Sequence, residues 1–195
     1  MTTGAVRLLS ANIGGQLTLT EARLEGADAY RDAVTANGMR VEGDAVLGGM
    51  ATTKGAVRMI GAHITGQLRL IDAQLEGANT HQHALSADGL CVERGVRFDD
   101  IKVMTGSVRL MGAHIGEQLS LYKARLEGAE ENGAALVADR LHVEGDIVLD
   151  GVVAPNVVVR LPGAHIDGAL IWNPAVAPKA VNLEQPIADS CGTSQ

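Results

Sequence analysis

The chain is 195 residues long with a formal net charge of −7, and 46% of it is hydrophobic although aromatic residues make up only 2%. The acidic balance excludes a surface built to hold bare nucleic acid, which needs basic side chains for the phosphates, and no apolar run reaches the length of a membrane-spanning helix. A core of Ala, Val, Leu and Ile with 24 Gly and hardly any rings is unlike an ordinary globular interior and suits stacked repeats; with no signal-peptide pattern, the expected location is the cytoplasm.

From the start of the chain the apolar side chains come as spaced pairs. Val6/Leu8, Ala11/Ile13, Leu17/Leu19 and Ala22/Leu24 are followed by Val34/Ala36, Met39/Val41, Ala45/Leu47 and Met50/Thr52. Each pair brackets one residue, the pattern of a short strand whose ends point inward and whose middle points outward. Successive pairs are five or six residues apart, and seven or twelve where one set of four passes to the next. Nothing recurs at the helical period, so no helix is predicted.

The set then repeats. Units of 51 residues begin at Gly4, Gly55 and Gly106, spanning 4–54, 55–105 and 106–156, with a partial fourth over 157–175. Ile13, Ile64, Ile115 and Ile166 coincide, as do Leu17, Leu68, Leu119 and Leu170. Within a unit, "ANIGGQLTL" (11–19) matches "MRVEGDAVL" (39–47), so each unit is two coils and the chain holds about seven. Four short faces per coil, with Gly15, Gly43, Gly61, Gly66, Gly89, Gly112, Gly145 and Gly163 at the corners, predict an all-β fold: a four-sided parallel β-helix. Glycine suits corners where the chain turns sharply, sometimes with positive φ.

In the last coil Trp172 takes the inward place held earlier by Leu19, Leu70 and Leu121, where a large ring can cover the core. Asn173 and Pro174 break the strand, and residues 176–195 are expected to be a loop-like tail. At the other end Val6, Leu8, Ala11, Ile13, Leu17 and Leu19 form a first coil whose backbone groups have no partner above an apolar core. The reading favours an end-to-end homodimer through that coil, with a fragment of a longer protein as the alternative. Cys91 and Cys191 are too far apart in the chain, and too few, to define a disulfide framework.

The five-residue step, with Ala at the first inward place and Leu or Ile at the second, resembles the pentapeptide-repeat proteins; "SANIG" (10–14) and "EARLEG" (21–26) are the closest matches. The resemblance spans roughly residues 4 to 175. It implies a right-handed quadrilateral β-helix. The six-residue step and the longer corners depart from strict pentapeptide spacing, and Phe is nearly absent from the inward place. The "VRLxGAxIxGQLxL" wording also looks like repeats in actinobacterial proteins described as membrane-associated oxidoreductases, although no redox motif or cofactor loop accompanies it.

Two features carry the functional reading. The long corner bears an insert once per unit: "EGADAYRDA" (25–33), "EGANTHQHA" (76–84) and "EGAEENGAA" (127–135). These loops leave one edge of the solenoid and differ most between units, which is where a rigid scaffold usually binds. Tyr30, Arg31, His81, His83, Glu130 and Glu131 are the binding candidates, against a plain solvated spacer. The second feature is "GAHI", written at 61–64, 112–115 and 163–166. With Ala and Ile inward, each His points outward, and the half-repeat fills the column: Asn12, Arg40, His63, Cys91, His114, His142, His165. Neighbours are roughly 4.8 Å apart. His and Cys suit zinc or copper, so His63, Cys91, His114, His142 and His165 are metal candidates, while simple stacking of like side chains is the favoured reading. No cofactor is otherwise expected.

A neighbouring column reads Arg7, Thr35, Arg58, Ser86, Arg109, Val137, Arg160, of which Arg58, Arg109 and Arg160 are binding candidates. Just after the His face lies an acidic column, Glu42, Glu93, Glu144 and Asp167, and Glu25, Glu76 and Glu127 form another. A non-enzymatic binding or scaffold module with a protein partner is the favoured function, since no nucleophile–base–orienter set, phosphate loop or carboxylate pair is present. Resemblance to pentapeptide-repeat resistance proteins implies a topoisomerase-protecting DNA mimic as one alternative. An enzyme or metal site on the His/Cys column is the other.

Overall fold

The computed structural model describes residues 4–49 and 51–183; Met50 and Cys191 lie outside them. The described strands form four parallel sheets, and each of the first five coils contributes one strand to each sheet in turn. The first sheet runs through Val6–Arg7, Asp32–Thr35, Ala56–Arg58, His83–Ser86, Ser107–Arg109, Ala134–Val137, Val158–Arg160 and Ala180–Asn182. The second holds the GAHI strands, from Asn12–Ile13 to His165–Ile166. The third runs from Leu17–Thr18 to Leu170–Asn173, and the fourth from Arg23–Leu24 to Arg125–Leu126, prolonged by bridges from Arg125 to Val153 and on to Val176. This is the four-sided parallel β-helix that the spacing predicts. No helix among the described residues is long and apolar enough to cross a membrane.

A two-residue strand cannot stand alone. Here each is held because its N–H and C=O groups bond to the coils on either side, as in Leu119 N to Asp146 O at 2.9 Å and Val96 N to Gln118 O at 2.8 Å. Side chains then alternate as expected. Ala62 and Ile64 are fully buried while His63 between them is half-exposed, and the column Leu68, Val96, Leu119, Ile147 is buried throughout.

One face departs from the expected register. The fourth sheet pairs Arg23 with Thr52 and Leu24 with Thr53, so the inward pair is Ala51/Thr53 rather than Met50/Thr52. The corner at Gly48 and Gly49 holds one more residue than its counterpart at Asp99 and Asp100, and the chain regains register by Val57, opposite Val34 and Leu85. Thr53 therefore points into the core, with its hydroxyl buried and without a hydrogen-bond partner.

The corner glycines serve two purposes. Gly61 has φ +62° and open space where a Cβ would be, and the same left-handed conformation recurs at Gly38, Gly89, Gly112, Gly163 and, without glycine, at Ser10 and Arg140. Gly66 has no such φ; a Cβ there would lie 2.6 Å from the Gly43 backbone one coil away. It is glycine because the coils approach closely at that corner.

At the C-terminal side Trp172 stands in register on Leu149, which is fully buried, and is itself 36% exposed. The loop-like expectation for the stretch from about Ala177 is corrected over Ala180–Asn182, which pairs with Val158–Arg160 as an eighth strand of the first sheet. In the first coil Val6, Leu8, Ala11, Ile13, Leu17 and Leu19 pack against the core but stay partly exposed.

Candidate functional site

The insert loops arise at the junction of the fourth and first sheets, and in the second and third "LEG" strings the glycine admits them. A Cβ on Gly77 would strike the Lys54 carbonyl of the coil below, and one on Gly128 would strike the Thr105 backbone. Past that glycine each loop closes on itself. The Asp28 carboxylate accepts from the N–H groups of Tyr30 at 2.8 Å and Asp32 at 3.0 Å; the Asn79 side-chain oxygen does the same for His81 at 2.9 Å and His83 at 3.1 Å. In the third loop the Asn132 side chain accepts from Ala134 N at 2.8 Å. The chain turns through positive φ at Arg31, Gln82 and Gly133 before it enters the four-residue strands of the first sheet.

The loops also lean on one another. Thr80 N donates to Tyr30 O at 3.1 Å, joining the first and second, and Gln82 Nε2 donates to Glu131 Oε1 at 3.4 Å, joining the second and third. Between the second and third lies a polar cavity of about 480 Å³, walled by His81, Gln82, His83, Glu130, Glu131 and their neighbours Thr80 and Asn132. Four of the six loop candidates thus share one cavity. Tyr30 stands on the adjacent loop, 60% exposed, beside an exposed Arg31.

The floor of this edge is a half-buried polar network. Glu130 accepts from Ser107 Oγ at 2.9 Å and lies 3.5 Å from His83 Nε2 and 3.7 Å from Arg109 Nη1; Ser86 Oγ is 3.2 Å from His83 Nδ1. Burial pushes the His83 imidazole below its ordinary value of 6.5, Arg109 pushes the same way, and Glu130 opposes them. Asp32, its counterpart under the first loop, is buried, which raises its carboxyl above the usual 3.8 against the hydrogen bond from Asn79. The order Ser86, His83, Glu130 has the composition of a nucleophile relay, but Ser86 is 2% exposed, so a substrate cannot reach its hydroxyl.

The arginine candidates divide. Arg109 joins the floor of the cavity and also donates to Asp88 at 2.9 Å, whereas Arg58 turns to Asp32 at 3.5 Å and Arg160 to Asp139 at 2.7 Å. Asn79, Asp88 and Ser107 support this edge and were not singled out from sequence; the signal was their place, since Asn79 stands where Asp28 does in the preceding unit.

The second sheet carries the other candidate. Asn12, Arg40, His63, Cys91, His114, His142 and His165 stand in unbroken register. The His114 and His142 rings, and those of His142 and His165, meet edge to face with centroids 4.9 Å apart. Each imidazole turns its Nε2 to an acid: His63 to Glu93 at 2.9 Å, His114 to Glu144 at 3.2 Å, His142 to Asp167 at 3.3 Å and His165 to Asp167 at 2.8 Å. Cys91 is a half-buried free thiol between two of these rungs. Among the described residues, His142, His165 and Asp167 bring three metal-ligating atoms within 4.8 Å of one another.

No protein-family model, no curated protein and no solved structure matches this chain.

Proposed function

We propose that the protein is a non-enzymatic binding or scaffold module that holds a protein partner along the edge bearing its three insert loops. The observation that carries this reading is the 480 Å³ cavity between two of those loops, walled by side chains from both. Loops tied to each other and to a rigid solenoid lose little conformational freedom on binding, which favours affinity. Glu130, Glu131 and the side-chain amides of Gln82 and Asn132 suit a cationic or hydrogen-bond-donating side chain of the partner. Tyr30, exposed on the first loop next to the second, is the kind of residue that anchors interfaces.

Kinship with pentapeptide-repeat proteins belongs to the same proposal, supported by inward Ala/Ile pairs at the five-residue step. A DNA mimic ranks behind it, because Arg58, Arg109 and Arg160 pair with acids and interrupt the negative faces.

The test is a differential capture from a cytoplasmic extract. Wild type is compared with a Tyr30→Ala, Glu131→Gln variant and with Arg94→Ala at the opposite corner, and thermal melts establish that all three are folded. Proteins held by wild type and by Arg94→Ala but lost from the loop variant support the reading. Capture that ignores the loop substitutions, or follows Arg94 instead, overturns it.

A further inference from the structure

We propose that His142, His165 and Asp167 form a binding site for one divalent transition-metal ion of the zinc class on the second sheet, independent of the loop edge. His142 and His165 sit on successive rungs, and Asp167 follows His165 by two residues, at the corner where the sheet ends. Both rings present the same nitrogen, Nε2, to one carboxylate: Oδ2 is 3.3 Å from His142 and Oδ1 is 2.8 Å from His165. Ligands around a tetrahedral zinc at ~2.0–2.1 Å are about 3.3–3.4 Å from one another. The His142 separation matches that spacing, the His165 separation is shorter, and all three ligand atoms fall within 4.8 Å. Small side-chain rotations would bring them onto one ion without moving the backbone.

The rest of the ladder lacks this arrangement. His63 and His114 each face a carboxylate of their own, and the neighbours of His63 are Arg40 and Cys91 rather than another imidazole. Two imidazoles and a carboxylate suit zinc, cobalt, nickel or copper, while magnesium and calcium prefer all-oxygen sets. Three protein ligands leave a coordination position for water or a donor from outside, and the His114 ring lies 4.9 Å from that of His142 on the next rung. All three side chains face solvent, so an ion can enter without any opening of the fold.

Tag-free protein is titrated with zinc by calorimetry and with cobalt by visible absorption, whose intensity reports low coordination number. The variants are His142→Ala, His165→Ala, Asp167→Asn and, as control, His63→Ala. The expected result is a stoichiometry near one ion in wild type and in His63→Ala, with affinity at least tenfold weaker in each of the other three. All four positions point outward, so thermal melts should match wild type. Absence of zinc binding by the wild type, or binding that survives His165→Ala and Asp167→Asn, overturns the site. Loss of binding in His63→Ala alone would also overturn it.

Discussion

Replacing Thr53 by valine should stabilise the protein. Thr53 is 1% exposed and its hydroxyl has no hydrogen-bond partner. Its register neighbours are Leu24 and Leu75, both buried, and Val103 fills the same inward place two rungs on. A buried hydroxyl without a partner costs roughly 1–3 kcal/mol in proteins, and valine has nearly the same shape with a methyl in its place. A gain of about 1–2 kcal/mol is expected, readable as a rise in the urea midpoint at unchanged slope. Thr52→Val is the control: that side chain is half-exposed on the outer face, and surface changes of this kind stay within about 0.5 kcal/mol. A stabilising Thr52→Val with a neutral Thr53→Val would refute the one-residue shift at the Gly48 and Gly49 corner and restore Thr52 as the inward residue.

Leu119→Ala should cost about 3–5 kcal/mol, because Leu119 is fully buried and coils bonded on both sides cannot close over the cavity; Leu17→Ala, at the partly exposed end of the same column, should cost clearly less in the same denaturation assay. Gly61→Ala and Gly66→Ala should both lower the melting temperature, but Gly61→Asn should recover much of the loss, since Asn tolerates positive φ, and Gly66→Asn should recover none. Equal behaviour of the two asparagine variants would count against separate causes. His83 is held below its ordinary 6.5 in the folded protein, so the unfolded chain takes up its proton first on acidification. Its share of stability is present above that value and is lost as pH falls from there towards the folded value. His83→Gln should therefore flatten the stability profile below about pH 6.5, and an unchanged profile would contradict the half-buried imidazole with its lowered pKa.

Much of this was legible because a β-helix turns sequence spacing into position. Once Ala62 and Ile64 are inward, His63 must be outward, and the 51-residue period stacks it on Cys91 and His114 through the half-repeat. The loop edge followed from the long corner, and His81, His83, Glu130 and Glu131 do meet there. Lateral relations were not legible. His63 reaches Glu93 on the next rung and His142 shares Asp167 with His165, choices made by side-chain rotamers that a column of letters does not contain. The slip at Thr53 was hidden because one extra corner residue is cancelled before Val57, leaving the period intact. Gly61 and Gly66 look alike in sequence, and only the approach of Gly43 separates their reasons.

The histidine ladder and the loop edge both depend on one register, in which neighbouring coils place His63 beside Cys91 and Arg40 two rungs from it. Thiol cross-linking reads that register directly. In a Cys191→Ser background, His63→Cys puts a second thiol one rung from Cys91, about 4.8 Å away, within the ~4.4–6.8 Å between α-carbons that a disulfide spans. Arg40→Cys puts it two rungs away, about 9.6 Å, beyond that reach. Mild oxidation should close an intramolecular disulfide in the first variant and none in the second, scored by free-thiol count and peptide mapping. A bridge in the Arg40→Cys protein, or none in His63→Cys, would contradict the register on which the ladder and the loop edge stand.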